Sequence, residues 1–80
     1  MPKLIKIEVL DNYILKLFYN NSEMRLFDMK PYLNQKPWNQ IATPKKFNQV
    51  KVINGDVCWE NGMIDMSPDT IEVKSILIDQ

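Results

Sequence analysis

The residues that could do chemistry lie in one short stretch of the chain. They are Asp56, Cys58, Glu60, Asp65 and Asp69. Carboxylate oxygens are the ligands that hard cations prefer, yet this spacing matches no calcium-binding loop. A role in a turn or at the start of a helix accounts for each acid more simply. The sequence therefore predicts no metal site.

Catalysis is not indicated by the residue types present. The chain contains no histidine, the side chain that most often acts as general acid or base near neutral pH. Its one cysteine, Cys58, lies in a predicted strand, where a small core side chain is expected rather than a reactive thiolate. The two glycines, Gly55 and Gly62, each belong to a turn, so there is no glycine-rich phosphate loop. The sequence predicts a protein that is not an enzyme and needs no cofactor.

Residues 30–51, which we call the basic middle, contain five lysines and no acid, although the whole chain has no net charge. Lysines contact phosphates and aromatic rings stack on bases, so their combination is typical of proteins that bind single-stranded nucleic acid. Neutrality argues against this, because such proteins are usually strongly basic. A single-stranded nucleic-acid-binding or regulatory accessory domain therefore stays the alternative function. It would use Lys36, Lys45, Lys46 and Lys51 with Tyr32, Trp38 and Phe47.

The elements that position these residues form one domain, residues 1–80, because so short a chain can bury only one core. Residues 5–9 alternate as a strand, and Asp11-Asn12 favours a tight turn. Residues 13–19 are apolar except for Lys16, which is typical of a central strand covered on both faces. A turn and a third alternating strand, residues 23–28, complete a three-strand meander.

Further along, prolines limit any helix to short pieces. Thr43-Pro44 and Ser67-Pro68 each read as a cap followed by the first helical residue. A second hairpin is predicted over residues 50–59, with its turn at Asn54-Gly55. Residues 71–78 fit helix or strand equally well. The predicted class is α+β, with an antiparallel sheet built from the meander and the second hairpin, and with short helices.

Individual polar residues have predicted structural roles. Asp28 is expected to cap the turn that begins at Lys30-Pro31. Asn61 is expected in the left-handed conformation that Asn and Gly tolerate, next to Gly62. Asp65 is expected to be buried and to accept backbone N–H bonds in the loop after Gly62.

The succession of these motifs resembles the small bacterial family known as domain of unknown function 2442. The most specific part is Trp-x-Asn-Gly-x-x-Asp, met by Trp59, Asn61, Gly62 and Asp65. Glu60 stands where that family often has proline and Ile64 where alanine is usual. The resemblance covers nearly the whole chain.

This resemblance implies a compact α+β fold, similar to the N-terminal domain of a nitrosomonad protein that continues into a helix-turn-helix. Members of the family are often encoded beside a second small protein, in an arrangement like that of toxin–antitoxin pairs. The resemblance therefore implies a role in binding a protein partner.

The predicted function is a non-enzymatic, cytoplasmic protein-interaction module that acts as an antitoxin-like partner of a neighbouring gene's protein and forms a homodimer. No run approaches the roughly 18 apolar residues of a membrane span, and the first residues lack the long apolar run of a signal peptide, so a cytoplasmic protein is expected. With one cysteine and no histidine, neither a disulfide nor a zinc site can staple this small core, which favours self-association. The predicted contact residues are Trp38, Lys45, Lys46, Lys51 and Trp59.

Overall fold

The computed structural model describes residues 2–78, which form two antiparallel sheets and two short helices. The first sheet has the order β1-β2-β3-β7 and the second has the order β4-β5-β6. The α+β class is thereby confirmed, although the meander and the second hairpin lie in separate sheets. In chain order the elements are β1 (Leu4–Leu10), β2 (Ile14–Tyr19), β3 (Met24–Asp28), α1 (Pro44–Phe47), β4 (Lys51–Ile53), β5 (Asp56–Trp59), β6 (Ile64–Met66), α2 (Pro68–Lys74) and β7 (Ile76–Ile78).

The predicted meander is present as β1, β2 and β3. Its first turn is a single 3₁₀ turn, Asp11–Tyr13, in which Asn12 has the left-handed conformation (φ 63°, ψ 35°). A β-bulge between Leu4 and Lys6 shifts the register at the start of β1. Because of that shift, Leu4 is buried while Ile5 is 58% exposed, whereas plain alternation predicted Ile5 on the covered face.

The end of the chain is helix and then strand. Helix α2 ends at Lys74, and Ser75 takes an extended conformation with its N–H still donating to the Ile71 carbonyl at 3.0 Å. Strand β7 then pairs antiparallel with β3, with Ile76 opposite Leu26. The two alternatives left open by the sequence therefore both occur, one after the other. Asp79 and Gln80 lie outside the described residues.

The second sheet contains a strand that alternation did not predict. Strand β6 pairs with β5, placing Asp65 opposite Cys58 and Ile64 opposite Trp59. A 3₁₀ turn over Glu60–Gly62 reverses the chain between these strands. Only three residues long, β6 is too short for its period to be recognised in the sequence.

Each of the two α-helices begins at a proline. At α1, the Thr43 hydroxyl accepts a long hydrogen bond from the Lys46 N–H, at 3.4 Å, as the predicted cap does. At α2, Pro68 begins the helix as predicted, but Ser67 makes no side-chain capping bond. None of the helices in residues 2–78 is long and apolar enough to cross a membrane.

The core lies between the two sheets and is centred on aromatic rings. Phe47 packs against Tyr13 at a centroid distance of 5.0 Å and against Trp59 at 5.8 Å. Leu15, Leu17 and Phe27 contribute the inward face of the first sheet. No core residue among residues 2–78 lies on the side of that sheet turned away from the core.

Candidate interaction surface

Trp59 is an internal residue and cannot contact a partner. Its side chain is 1% exposed, and its indole N–H donates to the Phe47 carbonyl at 3.1 Å. The prediction of Trp59 as a contact residue is therefore wrong. The period of β5 turns Trp59 to the core side, and its ring fills the space between the sheets.

Trp38 is half-buried and braces the basic middle against the second sheet. Its indole N–H donates to the Asp65 carbonyl at 3.0 Å, and its ring meets the edge or face of Tyr32 at 5.8 Å with planes 73° apart. The 3₁₀ turn over Trp38–Ile41 holds it there. The only polar atom of this indole is thus engaged within the chain. Its role as a partner contact stays a prediction.

The exposed lysines of the basic middle are not accompanied by free aromatic faces. Lys45 and Lys46 lie on α1 and Lys51 begins β4, all exposed to solvent. Phe47 is 1% exposed, so it cannot stack on a base. Tyr32 stacks on Phe27 instead, at 5.7 Å and 15° between planes. The lysines and rings that alternate in the sequence therefore do not combine into one stacking platform.

The residues with predicted structural roles behave differently from one another. Asp28 accepts the Lys30 N–H at 2.9 Å, which is the predicted turn cap. Asn61 is left-handed as predicted (φ 57°, ψ 36°), followed by Gly62 at φ 91°. Asp65 is exposed, and the hydrogen bond it accepts from Trp38 goes to its backbone carbonyl. The prediction of a buried Asp65 carboxylate is wrong, because its neighbours on β6 take the core face.

The acidic residues between Asp56 and Asp69 do not come together in one site. Within residues 2–78, no three histidine, cysteine, aspartate or glutamate side chains come together in a way that could hold a metal ion. Burial raises the pKa of the Cys58 thiol, and the carboxylates of Asp56 and Asp65 raise it further. Cys58 is therefore mainly a protonated thiol at neutral pH, which makes it a poor nucleophile.

One cleft lies where the sheets and α2 meet. It has a volume of about 290 Å³ and an apolar floor that includes Leu4, Val57 and Ile71. Burial raises the pKa of the Tyr19 phenol at its wall; the Arg25 guanidinium opposes this and nearby carboxylates reinforce it. Tyr19 is therefore neutral throughout the physiological range. The cleft offers apolar contact but no activated group.

The largest candidate surface is the side of the first sheet turned away from the core, which we call the outer face. Directly opposite residues in neighbouring strands share a face, so the register fixes its composition. None of its apolar side chains belongs to the core cluster. The apolar members are Leu10, Ile14, Phe18, Met24, Leu26, Ile76 and Ile78.

Charged side chains surround Phe18 on the outer face. The ammonium groups of Lys6 and Lys16 lie 5.0 and 5.4 Å from the centroid of the Phe18 ring. Lys6 also lies 3.5 Å from the Glu8 carboxylate. At the other end, a depression of about 550 Å³ is lined by Leu10, Asp11, Ile14, Leu26, Asp28, Lys74 and Ile76. The outer face thus combines apolar side chains with charges of both signs, and Lys16 lies between Ile14 and Phe18 on strand β2.

The apolar residues of β2 account for part of this surface. The nearly unbroken apolar run through β2 predicted a strand covered on both faces. In the structure β2 is central, with Leu15 and Leu17 fully buried on one side. Ile14 and Phe18 point the other way and are only half-buried. The run reflects a sheet whose second face is apolar without being covered by any described element.

Fold and surface together define a small α+β domain with an open apolar sheet face. The chain belongs to the family described as "Protein of unknown function (DUF2442)", whose profile matches residues 4–76. This confirms the resemblance found in the motifs. The chain has no significant match among curated proteins and none among solved structures.

Proposed function

We propose that this chain is a non-enzymatic protein-interaction module that docks a protein partner on the outer face. The observation that supports the proposal is that each of the four strands contributes apolar side chains to one uncovered sheet face, interspersed with the charged residues Lys6, Glu8, Lys16 and Asp28. Contiguous apolar patches rimmed by polar residues mark interaction sites in soluble proteins. Ile76, which is 71% exposed, is an apolar side chain that the fold itself does not need to bury.

The proposed partner is the small protein encoded next to this chain, in an antitoxin-like pair within the bacterial cytoplasm. The family resemblance supports this choice. The exposed lysines of the basic middle lie outside the outer face, so the alternative of single-stranded nucleic-acid binding would require a different surface. The burial of Phe47 weakens that alternative, because its ring is not free to stack.

The test is capture of the purified neighbouring protein by the purified full chain. Leu26, at the centre of the outer face, is replaced in Leu26→Lys, which puts a charge into the proposed contact. Met63→Lys is the matched control, since Met63 is 87% exposed and lies beside the second sheet. We expect Leu26→Lys to bind at least tenfold more weakly, because a buried unpaired charge costs well over about 1.4 kcal/mol.

Circular dichroism of each variant checks that it is folded. The proposal fails if the parent chain does not bind the neighbouring protein. It also fails if Leu26→Lys, folded, binds as tightly as Met63→Lys does.

A further inference from the structure

We propose that strand β7 pairs with β7 of a second copy of this chain, which makes one continuous sheet from two molecules. This inference rests on the proposed function, because it assigns an occupant to one margin of the outer face. The second copy would run antiparallel, related by a two-fold axis through Leu77. The reasons lie in the four strand edges and in the composition of β7.

Three of the four sheet edges carry features that discourage pairing. Strand β1 has its bulge and the charged residues Lys6 and Glu8. Strand β4 carries Lys51 and packs beside β1. Strand β6 carries the exposed Asp65, whose carbonyl already accepts the Trp38 indole N–H. Charges, bulges and covering groups are the means by which proteins protect strand edges from further pairing.

The edge formed by β7 has none of these features. It consists of Ile76, Leu77 and Ile78, with no charged residue, proline or bulge. Ile76 is 71% exposed and Leu77 is 53% exposed. Among the described residues, β7 has a strand neighbour on one side only, namely β3. An uncharged apolar strand with a free edge is a template for an additional strand.

The identity of the added strand follows from self-complementarity. With Leu77 opposite Leu77 of the second copy, Ile76 lies opposite Ile78 of that copy on the outer face. All the cross-strand pairs are then apolar, and no like charges are brought opposite each other, which would destabilise pairing. A two-fold arrangement of this kind uses the same patch twice, as isologous dimers do.

The pairing also doubles the docking surface, from roughly 250 to roughly 500 Å². At strand spacings of about 4.8 Å and about 3.4 Å per residue, the outer face of one chain spans roughly 250 Å². A stable interface buries about 800 Å² on each partner. A two-fold axis perpendicular to the sheet keeps both outer faces on one side, so the dimer presents twice the apolar area of a single chain.

The experiment is disulfide trapping with Leu77→Cys. In an antiparallel pair the opposing Cα atoms are about 4.5 or 5.5 Å apart, within the roughly 4.4–6.8 Å that a disulfide spans. Under mild oxidation we expect a cross-linked dimer from Leu77→Cys and not from Met63→Cys. The parent chain, whose only thiol is the buried Cys58, is the second control.

Sedimentation equilibrium supplies a measurement that needs no cross-link. We expect the parent, at about 100 µM, to sediment with twice the chain mass of 9.5 kDa. Leu77→Lys places two ammonium groups opposite each other on the axis and should weaken dimerisation at least tenfold. Leu77 is half exposed, so this variant should fold, which circular dichroism checks.

A parent chain that remains a monomer, together with no cross-link from Leu77→Cys, would overturn the proposal. So would a dimer that Leu26→Lys dissociates and Leu77→Lys does not, because the copies would then stack through their outer faces. Protection of β7 amides only when the neighbouring protein is added would show that its strand, not a second copy, occupies the edge. In each of these cases capture of the neighbouring protein is measured separately, so the proposed function can survive.

Discussion

Replacing Trp59 by phenylalanine tests whether this buried tryptophan stabilises the core. The substitution removes the indole N–H and leaves the Phe47 carbonyl without the donor now 3.1 Å away. The carbonyl still accepts the Val50 N–H at 3.2 Å, so the loss of the second hydrogen bond costs about 1 kcal/mol. The smaller ring also leaves space in a core where Trp59 is 1% exposed, adding on the order of 1 kcal/mol. We therefore expect a loss of about 2 kcal/mol in the free energy of unfolding.

That loss is large for this chain. Eighty residues correspond to about 4–12 kcal/mol of total stability at 0.05–0.15 kcal/mol per residue. With a urea m-value of about 1 kcal/mol/M, the midpoint should fall by about 2 M, or the variant should be partly unfolded without urea. Circular dichroism in a urea titration measures it.

Trp38→Phe is the matched control. It also deletes an indole N–H bond, to the Asp65 carbonyl, but at a position where water can replace the lost donor. We expect it to cost about 1 kcal/mol or less. Equal costs for the two variants, or a cost below about 0.5 kcal/mol for Trp59→Phe, would refute the assignment of Trp59 to the core brace.

Three further predictions concern the turn, the thiol and the basic middle. Gly62→Ala should lower stability by about 1–2 kcal/mol in thermal melts, because Gly62 has φ 91°, a conformation that disfavours alanine. The nearest side-chain atom would be 3.9 Å from the added carbon, so no steric clash contributes. A larger loss, or none, would contradict a purely backbone origin. The pKa values of Cys58 and Tyr19 are raised in the folded state, so folding is favoured while both groups are protonated. The stability they contribute is complete below about pH 8.5 and is lost as the pH rises through the folded pKa values. Urea midpoints measured from pH 7 upward should therefore fall, and should fall less in Cys58→Ala. A short single-stranded oligonucleotide should cause no salt-dependent quenching of Trp38 fluorescence, because this half-buried ring packs against Tyr32 and the neighbouring Phe47 is buried. Quenching that weakens steeply with salt and is lost when Lys45 and Lys46 are neutralised would favour the nucleic-acid alternative.

The sequence by itself determined the local features. Asn12 and Asn61 take left-handed conformations, Asp28 caps its turn and Pro44 and Pro68 begin helices, as their side chains predict. Each of these depends on a few adjacent residues and on intrinsic backbone preferences, so the information is present in a short stretch. The meander and the second hairpin follow from the same local rules joined to strand periodicity.

Only the tertiary structure decided which apolar side chains are covered. The sequence does not distinguish Trp59 and Phe47 from the apolar residues of the outer face. In the structure, Trp59 and Phe47 are buried between the sheets, whereas no apolar side chain of the outer face belongs to the core. Burial depends on which elements meet across long stretches of chain, as when β7 pairs with β3 at the edge of the first sheet. The candidate site is an uncovered surface rather than a motif, and for that physical reason residue types and spacing did not locate it.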